Sequence, residues 1–419
     1  MKQITVAIAG CGSRGLDTYA ACQKRYPEKM KIVAAADIRP EKLRQMQETH
    51  GLQDDQCYGS AEEMLRQGRL ADVMLICTPD RLHYSEAMEA LRLDYHLLLE
   101  KPFAETEQQC REIERLASER GRHVAVCHVL RYTVFYQKLK ELVDSGAIGE
   151  IASIQASEQV GYFHQAHSFV RGNWRSAQLS TPMILQKCCH DMDIILWLAG
   201  KRCRSVSSFG SLRHFRPEFA PQSAPLRCTD GCPASADCPY NAETIYMSRV
   251  RAGETDWPVN ILTPYPTEES VMEALKNGPY GRCVYHCDND VVDRQVVSLE
   301  LEDGVTVSFS MCGFTQHINR TILIMGTRGQ IWGDLREKVI RVNEFGRPEK
   351  VIDIAALTND FSGHSGGDAR MLEEFLDLVA GESREDSALS SISVSLESHL
   401  VALAAERSRL AGGRVETLL

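Results

Sequence analysis

No apolar run in this sequence approaches the roughly 20 residues that a membrane-spanning helix needs, so a helical membrane protein is not expected. An excess of basic residues is also missing. Lys and Arg number 47 against 57 Asp and Glu, the formal net charge is −10, and the isoelectric point is about 5.8. Nucleic acid requires a concentrated basic face and is therefore not an expected partner. There is no internal repeat and no low-complexity tract. The few residues before the first apolar stretch already belong to a strand, so no secretion leader is expected and a cytoplasmic location is. Cysteine, in contrast, is plentiful, with fifteen residues. Cys77, Cys127 and Cys312 stand alone within apolar runs, where a thiol behaves as a small hydrophobe. A disulfide framework belongs to short secreted chains. At 419 residues the chain is too long for one ordinary core, so two domains are expected.

The densest signal lies in the first forty residues. Val6 to Ala9 run into Gly10-Cys11-Gly12-Ser13-Arg14-Gly15, a helix-compatible segment follows, and the apolar run Ile32 to Ala36 ends in Asp37. This is a strand, a Gly-x-Gly-x-x-Gly turn, a helix, a second strand and an acid, in the order used to bind a dinucleotide. Gly10 permits the tight turn, Gly12 admits a pyrophosphate, and Gly15 lets helix and strand pack closely. Asp37 lies where a carboxylate accepts both ribose hydroxyls of NAD. Arg14 and Arg39 are expected beside the adenosine ribose, where they would attract the 2′-phosphate of NADP. Asp37 repels that phosphate, so NAD is the favoured cofactor and NADP the alternative.

Strands and helices then alternate. Helices are expected at Pro40 to His50, Ser85 to Leu93 and Thr106 to Arg120, and buried strands at Ala71 to Cys77, His96 to Leu99 and His123 to Cys127. The pattern predicts an α/β fold with a doubly wound parallel sheet, in which ligands sit at the carboxyl ends of the strands. From Arg131 the texture changes. After a helix at Phe135 to Ser145, period-two segments appear at Ile151 to Ser157, Val296 to Leu301, Val305 to Met311, Thr321 to Met325, Gln330 to Gly333 and Val339 to Val342. These predict a second, α+β domain with a large, mostly antiparallel open sheet. The boundary is placed at 128/129, giving domains 1–128 and 129–419. The second is interrupted by a helix at Pro182 to Ala199 and by a Pro/Gly/Cys-rich insertion at 209–290. The stretch Asp386 to Leu410 is expected to be a helix that packs back on one of the sheets.

Several residues carry candidate chemistry. Lys101, in Glu100-Lys101-Pro102, follows a buried strand and can donate a proton or hydrogen bond to an oxygen changing redox state. His190 and Asp193 lie three apart on a predicted helix, hence on one face, and a histidine held by a carboxylate suits proton removal from an alcohol. Cys228, Cys232 and Cys238 fall within eleven residues of an irregular loop. They read either as a structural zinc clip, with Cys283 or Cys287 as fourth ligand, or as free thiols. Trp174 and Arg175 offer an aromatic face and a charge for a sugar ring. His364 and Asp368 lie in a glycine-rich turn that is either a substrate contact or a helix cap. His128 and Arg131 follow the fifth strand and border the expected nicotinamide position.

Taken together, these motifs resemble the glucose–fructose oxidoreductase/inositol dehydrogenase (Gfo/Idh/MocA) family over nearly the whole chain. The resemblance rests on GCGSRG at 10–15, Asp37, Thr78-Pro79 with His83, Glu100-Lys101-Pro102, Gly146 and Gly149, His190-x-x-Asp193 with Trp197-Leu198-x-Gly200, and Gly363 to Asp368. It implies a Rossmann domain, a cis peptide before Pro102, Lys101 and His190 as the catalytic pair, and action on sugars or polyols. It also implies a homo-oligomer, dimer or tetramer. Thr78, Pro79, His83 and Glu100 join the cofactor-facing set. Arg131, Trp174, Arg175, Lys187, Asp193 and His364 join Lys101 and His190 in the substrate-facing set. Many relatives carry an aspartate four residues before the catalytic histidine, where this chain has Gln186, so Asp191 or Asp193 is expected to orient His190 instead. The leading expectation is an NAD-dependent sugar, polyol or glycoside dehydrogenase. An NAD-dependent glycoside hydrolase working by transient oxidation and elimination, and a non-catalytic NAD-binding regulator, are the alternatives.

Overall fold

The computed structural model describes residues 3–382 and 390–419. The first sheet contains β1 (Ile4–Ala9), β2 (Met30–Ala36), β3 (Cys57–Tyr58), β4 (Val73–Ile76), β5 (His96–Leu99) and β6 (Val124–Val126). All its pairings are parallel, in the order β3-β2-β1-β4-β5-β6. Both faces are covered, which is why these strands read as continuous apolar runs rather than alternating ones. On one face Tyr19 and Met46 pack with Met371, Leu372 and Phe375. On the other, Met88, Leu91, Ile113 and Ala117 pack with Ile392. Local chemistry sets the helix ends. The Glu107–Arg120 helix starts where the Thr106 hydroxyl accepts the Gln109 N–H and stops at Gly121, whose φ of 60° suits glycine.

The chain order reverses between β1 and β4, and the glycine turn sits at that point. Gly10 has φ +86°, and a Cβ there would meet the Cys77 carbonyl carbon at 2.6 Å. A Cβ on Gly15 would lie 1.9 Å from the Gly10 oxygen, whereas on Gly12 the nearest atom is an Arg39 nitrogen at 3.6 Å. The turn is therefore closed beneath Gly10 and Gly15 and open above Gly12. The segment that follows is not a regular α-helix. Ser13–Tyr19 winds in wide i→i+5 turns and Ala20–Lys24 in tight i→i+3 turns.

The second sheet has β7 (Ile151–Gln159), β8 (Cys203–Ser211), β9 (Arg294–Leu301), β10 (Thr306–Cys312), β11 (Asn319–Gly326), β12 (Gly329–Asp334), β13 (Val339–Glu344), β14 (Lys350–Asp353) and β15 (Glu416–Thr417). Its order is β14-β13-β12-β11-β7-β10-β9-β8-β15, antiparallel except for β7 beside β10. Inward residues such as Val297, Leu299, Val307 and Phe309 pack with Ile195 and Leu198 of the Cys189–Ala199 helix and with Val401, Ala402 and Ala405 of the Ile392–Leu410 helix. Outward Ser298, Glu300, Ser308 and Ser310 are exposed. Among the described residues no helix is long and apolar enough to cross a membrane.

Three expectations need correction, and three short strands were not foreseen. Cys203–Ser211 is a strand, so the insertion begins after Ser211. β3, β14 and β15 span only two to four residues, too few for a period to show. The helix expected over Pro182 to Ala199 is two helices, Met183–Gln186 and Cys189–Ala199, with a break at Lys187 and Cys188. The C-terminal helix is Ile392–Leu410, the expected residues 386–389 lying outside the described ones, and it packs on both sheets through Ile392 and Leu396 on one side and Val401 and Ala405 on the other. The insertion is ordered around its own core of Tyr246, Met247, Val271 and Leu275.

The glycine geometry predicts that Gly15→Ala lowers the thermal midpoint by about 3–10 °C, because the backbone oxygen it meets has nowhere to move. Gly12→Ala should leave the midpoint unchanged. Differential scanning calorimetry on the two variants checks this, and equal midpoints would contradict it.

Candidate functional site

Gly10, Asp37, Thr78, Lys101 and His128 each follow a strand of the parallel sheet, so all lie along its carboxyl edge. Asp37 is buried. Its Oδ2 accepts the Cys11 N–H at 2.7 Å, and its Oδ1 accepts the Arg39 N–H at 2.9 Å and Arg39 Nε at 3.0 Å. It fixes the glycine turn and the Arg39 side chain together. Arg14, expected beside the adenosine ribose, is committed to two carboxylates. Its Nε donates to Glu100 Oε1 at 2.6 Å, and its terminal nitrogens donate to Asp368 at 2.7 and 3.2 Å. The reason is charge pairing, since two buried carboxylates are costly without a cation. Burial pushes the Glu100 carboxyl up, but Arg14 and then Lys101 outweigh it and hold the group below its usual range.

The loops after β4 and β5 are tied to each other. The His83 ring nitrogens lie 2.8 Å from the carbonyl oxygens of Pro102 and Thr78. The Thr78 hydroxyl donates to Glu86 Oε2 at 2.6 Å, Pro79 opens the Asp80–Arg92 helix, and the Lys101–Pro102 peptide is cis. His83 thus joins two loops from beneath, and its buried ring is already occupied on both nitrogens.

The helix break at Lys187 and Cys188 has a direct consequence. It leaves the Gln186 carbonyl outside a regular ladder, and Lys101 Nζ donates to that oxygen at 2.8 Å. Lys101 Nζ is also 5.8 Å from the centre of the Trp174 ring. His190 lies in the first turn of the next helix. Its ring centre is 5.7 Å from that of His128 and 6.0 Å from that of His364, and its Nδ1 is buried with no hydrogen-bond partner among the described residues. Burial, then the nearby Lys101, His128 and His364, hold His190 well below the ordinary histidine range. It is neutral at neutral pH.

Neither aspartate expected to orient His190 does so. Asp193 accepts two hydrogen bonds from Arg131, at 2.6 and 2.7 Å. Asp191 accepts from Arg320 at 2.8 Å. Arg320 also pairs with Glu158 at 2.6 Å, and Glu158 lies 3.5 Å from Lys187. Two carboxylates and two cations balance in this buried group. Burial lowers the Lys187 ammonium below its ordinary value despite Glu158. Sequence reasoning missed Glu158 and Arg320. They face each other across β7 and β11, in register, at inward positions otherwise filled by Ile154, Ile322 and Ile324. A charge in an inward period-two position on each strand was the available signal.

The remaining substrate-facing candidates divide. Trp174 is about one-third exposed and packs at 6.0 Å from Phe169. Arg175 is committed to Asp288 of the insertion, at 2.7 and 3.1 Å. His364 Nδ1 lies 3.0 Å from Asp368 Oδ2, which ties the turn to Arg14, and among the described residues no side chain caps the start of the Gly367–Ala380 helix. The insertion adds Trp257, unforeseen, 5.0 Å from His164 and 5.5 Å from His167, and Asn260 reaches Asp17 beside the glycine turn at 3.5 Å. Cys228, Cys232, Cys238 and Cys283 line one small cavity and Cys287 does not. Among the described residues no three His, Cys, Asp or Glu side chains are arranged to hold a metal ion.

The Arg131–Asp193 pair is almost wholly buried, so Asp193→Asn should cost about 3–5 kcal/mol in urea unfolding, and joining it to Arg131→Met should recover part of the loss. A cost under about 1 kcal/mol would show that the pair is not buried as described.

Comparison with known proteins agrees with this architecture. Residues 4–128 match the family model of the NAD-binding Rossmann fold of the Gfo/Idh/MocA oxidoreductases, and residues 140–416 match that of the family's C-terminal alpha/beta domain. Among curated proteins, the putative oxidoreductase YteT of Bacillus subtilis is 24% identical over 380 residues, 85% of this chain and 78% of that protein. D-glucoside 3-dehydrogenase of Escherichia coli is 30% identical over 150 residues, 35% of this chain and 41% of that protein. Inositol 2-dehydrogenase of Burkholderia ambifaria is 27% identical over 202 residues, covering 47% and 55%. Among solved structures, an inositol dehydrogenase homologue from Azotobacter vinelandii in complex with NAD+ superposes with a TM-score of 0.69 at 15% identity, covering 100% of this chain and 98% of that one. Both halves of the chain, and the sheet orders that join them, place it in the Gfo/Idh/MocA oxidoreductase family.

Proposed function

We propose that the protein oxidises a hydroxyl of a sugar, polyol or glycoside by hydride transfer to NAD, with Lys101 and His190 as the catalytic pair. The observation that carries this reading is a buried His190 with a free Nδ1, held in its neutral form by burial and by the nearby Lys101, whose Nζ is anchored on the Gln186 carbonyl. The residues fit NAD. The turn is open above Gly12, and Asp37 closes β2 with a carboxylate. Arg39, beside Asp37, keeps NADP as the alternative. NAD, when bound, supplies the hydride acceptor.

The rest is done by side chains. A neutral imidazole accepts the hydroxyl proton as the carbonyl forms. The Lys101 ammonium has three N–H donors, of which one is used on Gln186, leaving two for the substrate oxygen as negative charge develops there. Trp174 and Trp257 supply faces for a sugar ring. Relatives that include D-glucoside 3-dehydrogenase and inositol 2-dehydrogenase support the substrate class. The free cysteines fit a reducing, cytoplasmic compartment, and the polar outer face of the second sheet is where self-association would occur.

The test is NADH formation across a panel of sugars, polyols and glycosides. Net NADH is expected. Free sugar released without net NADH would point to the oxidation–elimination route, and neither signal with NAD bound would point to a regulator. Lys101→Ala and His190→Ala should each lower kcat by about 100-fold or more while changing the NAD Kd less than about threefold. The depressed His190 also fixes a pH profile. The base form persists as pH falls through 6.5, so kcat/KM should stay level from pH 8 to 6.5 and drop only below. An acid limb centred at or above 6.5 would contradict this.

A further inference from the structure

We infer that Cys228, Cys232, Cys238 and Cys283 form a structural site for one zinc ion, with the buried guanidinium of Arg171 as counter-charge to the thiolates. The backbone brings the four together from two distant segments. Cys228 N–H donates to Gly281 at 2.9 Å and Cys283 N–H donates to Leu226 at 2.9 Å, one antiparallel bridge that sets the two cysteines side by side. The turn held by Ser235 N–H on Cys232 (3.1 Å) and Cys238 N–H on Ala234 (3.0 Å) carries the other two to the same place. All four line a cavity of about 10 Å³, the room of one water. The cysteine spacing fits none of the familiar ferredoxin patterns, which disfavours an iron–sulfur cluster.

Arg171 is the second, independent observation. Its side chain lines the same cavity and is wholly buried. Nε donates to the Arg282 carbonyl and Nη2 to that of Tyr240, both at 2.7 Å, and Nη2 lies 3.5 Å from Cys228 Sγ. Nη1 has no hydrogen-bond partner, and no carboxylate pairs with the guanidinium among the described residues. A buried cation needs an anion, and neutral thiols are not one. Four thiols that bind a divalent ion release four protons to solvent, and the resulting tetrathiolate carries a net charge of −2. Arg171 offsets half of it. Thiolate sulfur selects zinc over harder ions. The four thiols stand around the cavity short of ligating geometry, so the proposed site requires them to move inward when the ion binds. Cys287 is excluded because its thiol donates to the Cys283 carbonyl at 3.3 Å. Arg171 continues through Gly172 into Trp174, so the ion would fasten one wall of the crevice.

The test is metal content of the full-length protein, purified without chelator or metal-affinity resin, and it needs no turnover. Wild type and Cys287→Ser should hold about one zinc per chain, and Cys232→Ser and Cys283→Ser at least fivefold less. Cobalt added to metal-free wild type should give a thiolate-to-cobalt charge-transfer band, which decides the matter even if a serine variant folds poorly. Less than about 0.1 zinc per chain after zinc incubation with no cobalt band, unchanged zinc in Cys232→Ser, or stoichiometric iron and sulfide would each overturn the site.

Discussion

The placement of Lys101 and His190 depends on the pairing of buried arginines. Arg14 joins the glycine turn to Glu100 at the end of β5 and to Asp368 in the last third of the chain. Arg131 holds Asp193 on the helix that carries His190. Arg320 holds Glu158 and Asp191 beneath it. Each pair connects elements far apart in sequence, and each is mostly sequestered from water, where losing one partner costs far more than the pair contributes. These contacts fix how the two sheets meet, and with it where Lys101 and His190 stand.

The same pairing determines the character of His190. The site is rich in acids, yet each nearby acid is already held by an arginine. The histidine is left among Lys101, His128 and His364, with burial on every side, and so remains uncharged. Glutamine at 186 belongs to this arrangement. It contributes its backbone rather than its side chain, because the helix stops there and the carbonyl receives Lys101. In the proposed reaction, proton transfer rests on a neutral base and an anchored ammonium.

Much of this was legible in the sequence. The glycine turn, Asp37 and Lys101 could be read because each follows an apolar run long enough to be recognised as a buried strand, and strand ends are where such folds place ligands. The long alternating strands of the second sheet declared their inward faces. What could not be read was pairing. Asp193 sits three residues from His190, and helical spacing suggested a partnership, but nothing local reveals that Arg131, sixty-two residues earlier, takes the carboxylate. Arg14 adjoins the phosphate-binding glycines yet turns toward Asp368, 354 residues away. The break at Lys187 is equally silent, because Met183 to Ala199 has no glycine or proline to announce it. Trp257 lies in an insertion whose irregular composition hides two packed helices.

The most direct test is the titration of His190 itself, followed by NMR of histidine-labelled protein, with the resonance identified by its loss in His190→Gln. The account predicts a ring that is uncharged at pH 6.5 and gains a proton only at lower pH. A ring that titrates at or above 6.5 would mean that a carboxylate is free to hold it, and would contradict the arginine-paired crevice described above.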